Sequence, residues 1–252
     1  MRLLLVNDDG IDAVGIQALA KEFEKDYELV IVAPEGQRSA ASHSITLTKP
    51  ILVKRVEIPG IKSKAYSVSG SPADCVRVAL DKLVEGPIDM VLSGINFGLN
   101  IGADVLYSGT VSAAIEGNLY KIPSMAFSCE IGKGTECFET AAKYAKKIFE
   151  QVKEDLVKNN IVLNVNFPCI KEEEIKGIKV CKIGGIVYDY YFVENRNGED
   201  EITLALEGRH REEKEEDSDR FYLKEGYITI TPLHYDLTNY NLMQKVQEWL
   251  EI

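Results

Sequence analysis

Leu3-Leu4-Leu5-Val6-Asn7-Asp8-Asp9-Gly10 is the stretch on which the fold turns. Four successive apolar side chains without polar alternation form a strand covered on both faces, as in a parallel sheet. The run breaks at three polar side chains and a glycine. From Val14 to Phe23 the apolar positions Val14, Ile16, Leu19, Ala20 and Phe23 then fall at helical spacing. Leu29-Val30-Ile31-Val32 is a second buried strand. Strand, helix and strand in this order imply a right-handed crossover and a parallel sheet with helices packed on its faces.

The alternation continues outward from there. Ser71-Pro72-Ala73-Asp74 predicts a helix start, with Ser71 as N-cap, Pro72 in the first turn and Asp74 completing a capping box. Met90-Val91-Leu92 reads as a buried strand ending at Ser93-Gly94, and Val111 to Leu119 as a helix. Ser124 to Phe127 reads as a strand, residues 138–157 as a long amphipathic helix and Ile161 to Val165 as another strand. The fold class is therefore α/β, doubly wound, with a largely parallel sheet. After about Pro168 the chain changes character. Ile178 to Tyr191 and Ile202 to Leu206 are expected as strands, and Asn197-Gly198 between them signals a hairpin. Glu207 to Arg220 reads as a solvated loop, Tyr227 to Thr231 as a strand and Leu242 to Leu250 as a terminal helix carrying Trp249. Residues 1–170 are expected to form the core that carries the chemistry, and 171–252 an appendage of the same globular unit.

The chain has 252 residues, 45% apolar and 27% charged, and a net charge of −11. That is enough chain to bury a core without staples, and the composition excludes disordered, collagen-like and disulfide-scaffold proteins. The charge argues against a sequence-independent grip on a nucleic-acid duplex, which needs a basic footprint. It is −4 over residues 1–130, +1 over 131–193 and −8 over 194–252, so the acidity belongs mostly to the tail. No run approaches the ~18 apolar residues of a membrane helix. Leu3 to Val6 is too short for the core of a secretory signal. Five cysteines without a C-x-x-C pair are expected to be reduced thiols of a cytoplasmic protein.

In an open parallel sheet, ligands bind beyond the carboxyl ends of the strands, and four loops qualify. Asn7-Asp8-Asp9-Gly10 places two adjacent carboxylates where they repel unless a cation neutralises them, and an oxygen-rich set suits Mg²⁺ or Mn²⁺. Gly36 to Ser44 mixes hydroxyls, Arg38 and His43 in a stretch able to present donors to an anion. Ser93 to Gly102 carries three glycines and two asparagines after a buried strand, but fits neither the G-x-G-x-x-G fingerprint nor a P-loop. Ser108-Gly109-Thr110 places hydroxyls and N–H groups at a helix N-terminus, where anions are favoured. Each loop alone also has an ordinary reading: an Asp-rich cap, a small-residue turn, a glycine-permitted turn and plain N-capping. Together, a cation site beside anion sites is what metal-assisted phosphoryl transfer requires. No G-x-S-x-G elbow competes, and His210 and His234 are too far apart for an i, i+4 metal pair.

These residues resemble a known family. Asn7-Asp8-Asp9-Gly10, Arg38-Ser39-Ala40-Ala41-Ser42, Ser69 to Asp74, Ser93 to Gly98 and Tyr107 to Val111 are similar to motifs of the SurE survival-protein family. Gly226 to Leu233 resembles its closing strand, so the similarity runs over nearly the whole chain. The resemblance implies a divalent-metal-dependent nucleotidase that removes phosphate from nucleoside monophosphates, at the 5′ and in some members the 3′ position, with short polyphosphate as a further substrate. It implies one Mg²⁺ or Mn²⁺ per subunit held by Asp8, Asp9, Ser39 and Asn96, with Asp8 and Asp9 as the catalytic pair. Ser108, Gly109 and Thr110 carry over as phosphate contacts, and Ser42, Gly94 and Asn100 as substrate contacts. The family fold is a Rossmann-like three-layer core with a protruding hairpin and an exchanged C-terminal helix, assembled as dimers and tetramers. Asp8 as a covalent nucleophile is the mechanistic variant, disfavoured by the absence of D-x-D spacing. A metal-dependent nucleotide-binding module without turnover is the alternative function.

Overall fold

A computed structural model of the chain describes residues 1–132, 136–186, 188–196, 202–210 and 215–251. In chain order its strands are β1 (Arg2–Val6), β2 (Glu28–Pro34), β3 (Val53–Val56), β4 (Lys64–Val68), β5 (Met90–Phe97), β6 (Ser124–Cys129), β7 (Val162–Phe167), β8 (Ile178–Val180), β9 (Tyr188–Arg196), β10 (Ile202–His210) and β11 (Ile228–Leu233). The helices are α1 (Val14–Phe23), α2 (Pro72–Val78), α3 (Gly109–Leu119), α4 (Glu136–Asn159), α5 (Asp219–Lys224) and α6 (Tyr240–Leu250). Nine strands form one sheet in the order β3-β4-β2-β1-β5-β6-β7-β11-β8, and β9 and β10 pair separately. From β4 to β7 every pairing is parallel. β3 and β11 run antiparallel to their neighbours β4 and β7.

The apolar runs do what their composition demands. Leu3, Leu4, Leu5 and Val6 are wholly buried, because both faces of β1 are covered. Leu3 and Leu5 face a core built with α1 and α4, in which Phe23 meets Phe149 edge-on with centroids 5.2 Å apart. Leu4 and Val6 face α2 and α3. The Ser71 cap forms as expected: its hydroxyl accepts from the Asp74 N–H at 3.1 Å, and the Asp74 carboxylate accepts from the Ser71 N–H at 2.9 Å. The helix then widens into a π turn over Ala79–Leu83.

Several expectations are corrected. The connections through α1, α2 and α3 share one hand, but α4 joins β6 to β7 on the face of α1, opposite to α3. β5, β6 and β7 progress in one direction, so the β6–α4–β7 crossover has the rarer left hand. β5 runs on to Phe97 with a register shift beside β6 and a cis Gly94–Ile95 peptide, instead of stopping at Ser93-Gly94. The expected strand Ile178 to Tyr191 is two strands in different sheets, and the Asn197-Gly198 turn lies outside the described residues. The β3–β4 edge carries no strong sequence pattern: β3 is exposed or half-buried throughout, and β4 does not alternate although Ala65, Ser67 and Val68 are buried. Cys137 and Cys169 are bonded, with Cα atoms 5.3 Å apart, leaving buried thiols at Cys75 and Cys129 and a half-buried one at Cys181. No helix among the described residues is long and apolar enough to cross a membrane.

The largest correction concerns Glu207 to Arg220, expected as solvated loop. β10 occupies its start and α5 its end, and Asp219 is wholly buried. The Asp219 carboxylate accepts from the N–H groups of Gly102 at 2.9 Å, Gly184 at 3.0 Å and Arg220 at 2.8 Å. Asp219→Ala therefore strands several donors and is expected to cost about 2–4 kcal/mol. Urea unfolding checks this, with Asp219→Asn, which keeps an acceptor, falling between the variant and the parent.

Candidate active site

β1 lies between β2 and β5, and the chain leaves it on one side through α1 and returns on the other through α2. The sheet thus changes winding direction between β1 and β5, which opens a crevice at their carboxyl ends. Asp8 and Asp9 follow β1, Asn96 closes β5, Ser39 and Ser42 lie on the strap after β2, and Ser108 to Thr110 begin α3.

Asp8 is 4% exposed. Its Oδ1 accepts from the Thr110 hydroxyl at 2.5 Å, which leaves Oδ2 unclaimed by that bond. Burial pushes its carboxyl up to about 6, and the neighbouring Asp9 charge adds to the shift while the Thr110 bond opposes it. Gly109 is required beside it: a Cβ there would stand 2.8 Å from Asp8 Cβ and 3.1 Å from Pro72 Cγ. Asp9 is held by the Phe97 N–H, which donates to Oδ2 at 2.8 Å, and by Gln37. Burial raises its carboxyl as well. The Asn7 side chain closes the turn beneath both, donating to Gly10 O at 2.8 Å and accepting from Gly10 N at 3.2 Å.

The remaining site residues divide into two groups. The Arg38 N–H donates to Asp8 O at 2.7 Å, which brings exposed Ser39 alongside the carboxylates. Asn96 donates its amide to Gly98 O at 2.8 Å, so its Oδ1 remains an oxygen donor next to the Phe97–Asp9 bond. Ser108 caps α3 by accepting from Val111 N at 3.0 Å, and the N–H groups of Gly109 and Thr110 open the first turn. Ser42 is committed to structure at one atom, its hydroxyl donating to Leu106 O at 2.8 Å. Gly94 and Asn100 are both engaged by the strands around them. Gly94 sits within β5 at φ +135°, where the carbonyl of Phe127 on β6 leaves no room for a Cβ. Asn100 is buried and donates its amide to Ser128 Oγ at 2.7 Å, while its backbone bonds to Asn164 and Asn166.

Asp8, Asp9, Asn96 and Ser39 supply an all-oxygen set around two carboxylates whose charge no cation among the described residues neutralises. That donor set fits a hard divalent cation such as Mg²⁺ or Mn²⁺ and offers no nitrogen or sulfur to zinc. The open first turn of α3 adds an anion site beside it. Gln37 and the Phe97 N–H escape a reading by motif, although both lie within loops that the sequence marks. The supports from β7 and from Asp219 carry no local signal at all.

The raised Asp8 carboxyl carries a signed expectation for the metal-free protein. Its protonated form is favoured on folding, so its contribution is fully present below the ordinary value of about 4 and lost as pH rises through about 6. Asp8→Asn should leave the metal-free protein more stable than the parent at pH 8, by up to about 3 kcal/mol. The difference should vanish near pH 4. Thermal unfolding in EDTA at the two pH values measures it, and equal differences at both would refute the assignment.

Comparison with known proteins identifies the family. The family model described as survival protein SurE matches residues 3–189. A relative from Clostridium botulinum named 5′-nucleotidase SurE is 53% identical over 249 residues, covering 98% of each chain. One of the same name from Clostridium tetani is 49% identical, covering 99% of this chain and all of its own. The crystal structure of the SurE protein from Aquifex aeolicus superposes with a TM-score of 0.87 at 37% identity, covering both chains completely. The chain belongs to the SurE survival-protein family.

Proposed function

We propose that this protein is a 5′-nucleotidase that hydrolyses the phosphomonoester of nucleoside monophosphates with one Mg²⁺ or Mn²⁺. The single observation that carries the proposal is the buried Asp8 carboxylate bonded to Thr110, at the open N-terminus of α3. A cation site and a phosphate site share one hydrogen bond there. The name carried by full-length relatives at about half identity supports the substrate class. Activity at the 3′ position and on short polyphosphate belongs to the same proposal.

Asp8, Asp9, Ser39 and Asn96 would hold the ion, which when bound supplies charge stabilisation at the phosphoryl oxygens. The Gly109 N–H binds the phosphate, aided by the helix dipole, while the Thr110 N–H is turned to the Asp8 carboxylate. The Thr110 hydroxyl donates a hydrogen bond to Asp8 Oδ1, which fixes the carboxylate rotamer and leaves Oδ2 to the ion. The Phe97 N–H does the same for Asp9. These positions are set before substrate arrives, so no reorganisation opposes the reaction. Phosphate release from a panel of nucleoside 5′- and 3′-monophosphates with Mn²⁺ is expected, and is expected to disappear in EDTA. Asp8→Asn should lower it by about 1000-fold, or about 4 kcal/mol of barrier. Tight nucleotide binding without release would leave a binding module instead.

The proposal extends to a cytoplasmic homodimer or homotetramer. Every residue of α6 is exposed, including Tyr240, Leu242, Met243, Val246, Trp249 and Leu250. An 11-residue helix with such a face is marginal alone in water, so a second copy covering it accounts for its apolar side. Removal of residues 236–252 is expected to convert the oligomer to monomer in sedimentation experiments, and an unchanged mass would reject the helix as the contact.

A further inference from the structure

The strap that carries Ser39 is fastened at a point remote from the carboxylates. Residues 39–44 form neither helix nor strand, and Ala40 and Ser42 hold φ of 54° and 52°, a conformation that side-chain-bearing residues keep only when surroundings enforce it. At one end the Arg38 N–H is bonded to Asp8 O and the Arg38 guanidinium donates to Ser69 O at 3.1 Å. At the other end the Ser42 N–H donates to Tyr107 O at 3.0 Å. His43 Nε2 then lies 2.6 Å from Glu116 Oε2. Glu116 belongs to the third turn of α3, with its side chain 4% exposed, and its Oε1 accepts from Arg77 Nη1 at 3.2 Å.

We propose that Glu116, with His43 and Arg77, is a latch that positions Ser39 relative to Asp8 and Asp9. α3 is the common frame: its first turn touches Asp8 through Thr110, and its third turn grips the strap through Glu116. The two points are six residues apart, about 9 Å along the helix axis. A carboxylate so deeply buried is stable only with its Arg77 and His43 partners in place, so the strap is drawn to a defined position. Glu116 touches none of the proposed ligands and acts through the backbone between His43 and Ser39. The latch rests on the reading of Ser39 as a metal ligand.

A cavity of about 400 Å³ lined by His43, Ile45, Arg77, Glu116, Leu119 and Tyr120 lies against the latch, and its size admits imidazole. That permits a test with free imidazole. Glu116→Gln and His43→Gly are compared with the parent protein by amide hydrogen exchange without metal and by equilibrium dialysis of Mn²⁺. Exchange at residues 39–43 is expected to rise while the buried amides of β1 and β5 stay protected. Mn²⁺ affinity should fall about 10-fold in both variants, as for other groups that orient metal ligands. Turnover at saturating Mn²⁺ should change far less. Added imidazole fills the cavity but is not joined to the strap, so Mn²⁺ affinity should stay low in His43→Gly, and full restoration would overturn the latch. Parental Mn²⁺ affinity and exchange in both variants would overturn the latch. If the parent takes up no Mn²⁺, the ligand reading falls separately, and exchange at residues 39–43 alone decides: unchanged protection overturns the latch, and lost protection supports it.

Discussion

The bond between Asp8 and Thr110 is the constraint around which the rest of the molecule is arranged. A carboxylate at 4% exposure is expensive to ionise, and one hydroxyl donor only partly offsets the loss of water. The protein keeps it there because a charge placed before the reaction is worth more than one that must be assembled. The cost fixes its surroundings. Gly109 must lack a side chain, α3 must begin at Ser108, and β5 must extend past β1 so that the Phe97 N–H reaches Asp9. A sheet with β1 beside β5 at its reversal of direction supplies all three from adjacent strand ends.

The left-handed passage of α4 has a consequence for the same site. With α4 on the α1 face, the opposite face of β6, β7 and β11 is not fully covered by helix. Its side chains there are polar: Ser128, Asn164, Asn166, Thr229 and Thr231 are all buried. The segment after Asn96 fills the space. Asn100 lies against Ser128, Asn164 and Asn166, and Gly102 against Asp219. Asn164 Oδ1 and Thr229 Oγ1 find no partner among the described residues, but the bonds that the seam makes to Asn100 specify one path for the segment. Strands far from the chemistry thereby hold the loop that links Asn96 to α3.

How much of this the sequence discloses depends on the range of the interaction. Helix α1 is legible to the residue because its spacing is local, and so is the capping box at Ser71 and Asp74. The carboxylate pair, the strap and the α3 cap are legible because each is a contiguous motif at a strand end. The break between β8 and β9 and the β3–β4 edge are not, since exposed strands carry little alternation. Asp219 is invisible for a different reason. It sits in a charged run whose other members face water, and only a partner 117 residues away explains its burial. The crossover hand is likewise absent from any local pattern, because it depends on which face of the sheet α4 finds vacant.

The distribution of charge follows from the same division of labour. The tail that holds most of the net −11 includes the exposed face of β10 and the terminal helix, where charge meets water at little cost. In the core each buried carboxylate has its own compensation. Asp74 is held below the ordinary carboxylate range by Thr46 and Ser71 donors that outweigh its partial burial. Glu116 has the Arg77 guanidinium and the His43 ring as partners, and Asp219 has backbone donors. Asp8 and Asp9 are pushed upward by burial with no cation paired to either among the described residues. A fold that satisfies its other buried carboxylates and spares this pair places its unmet charge at the mouth of the crevice, where an ion and an anionic ester can share it.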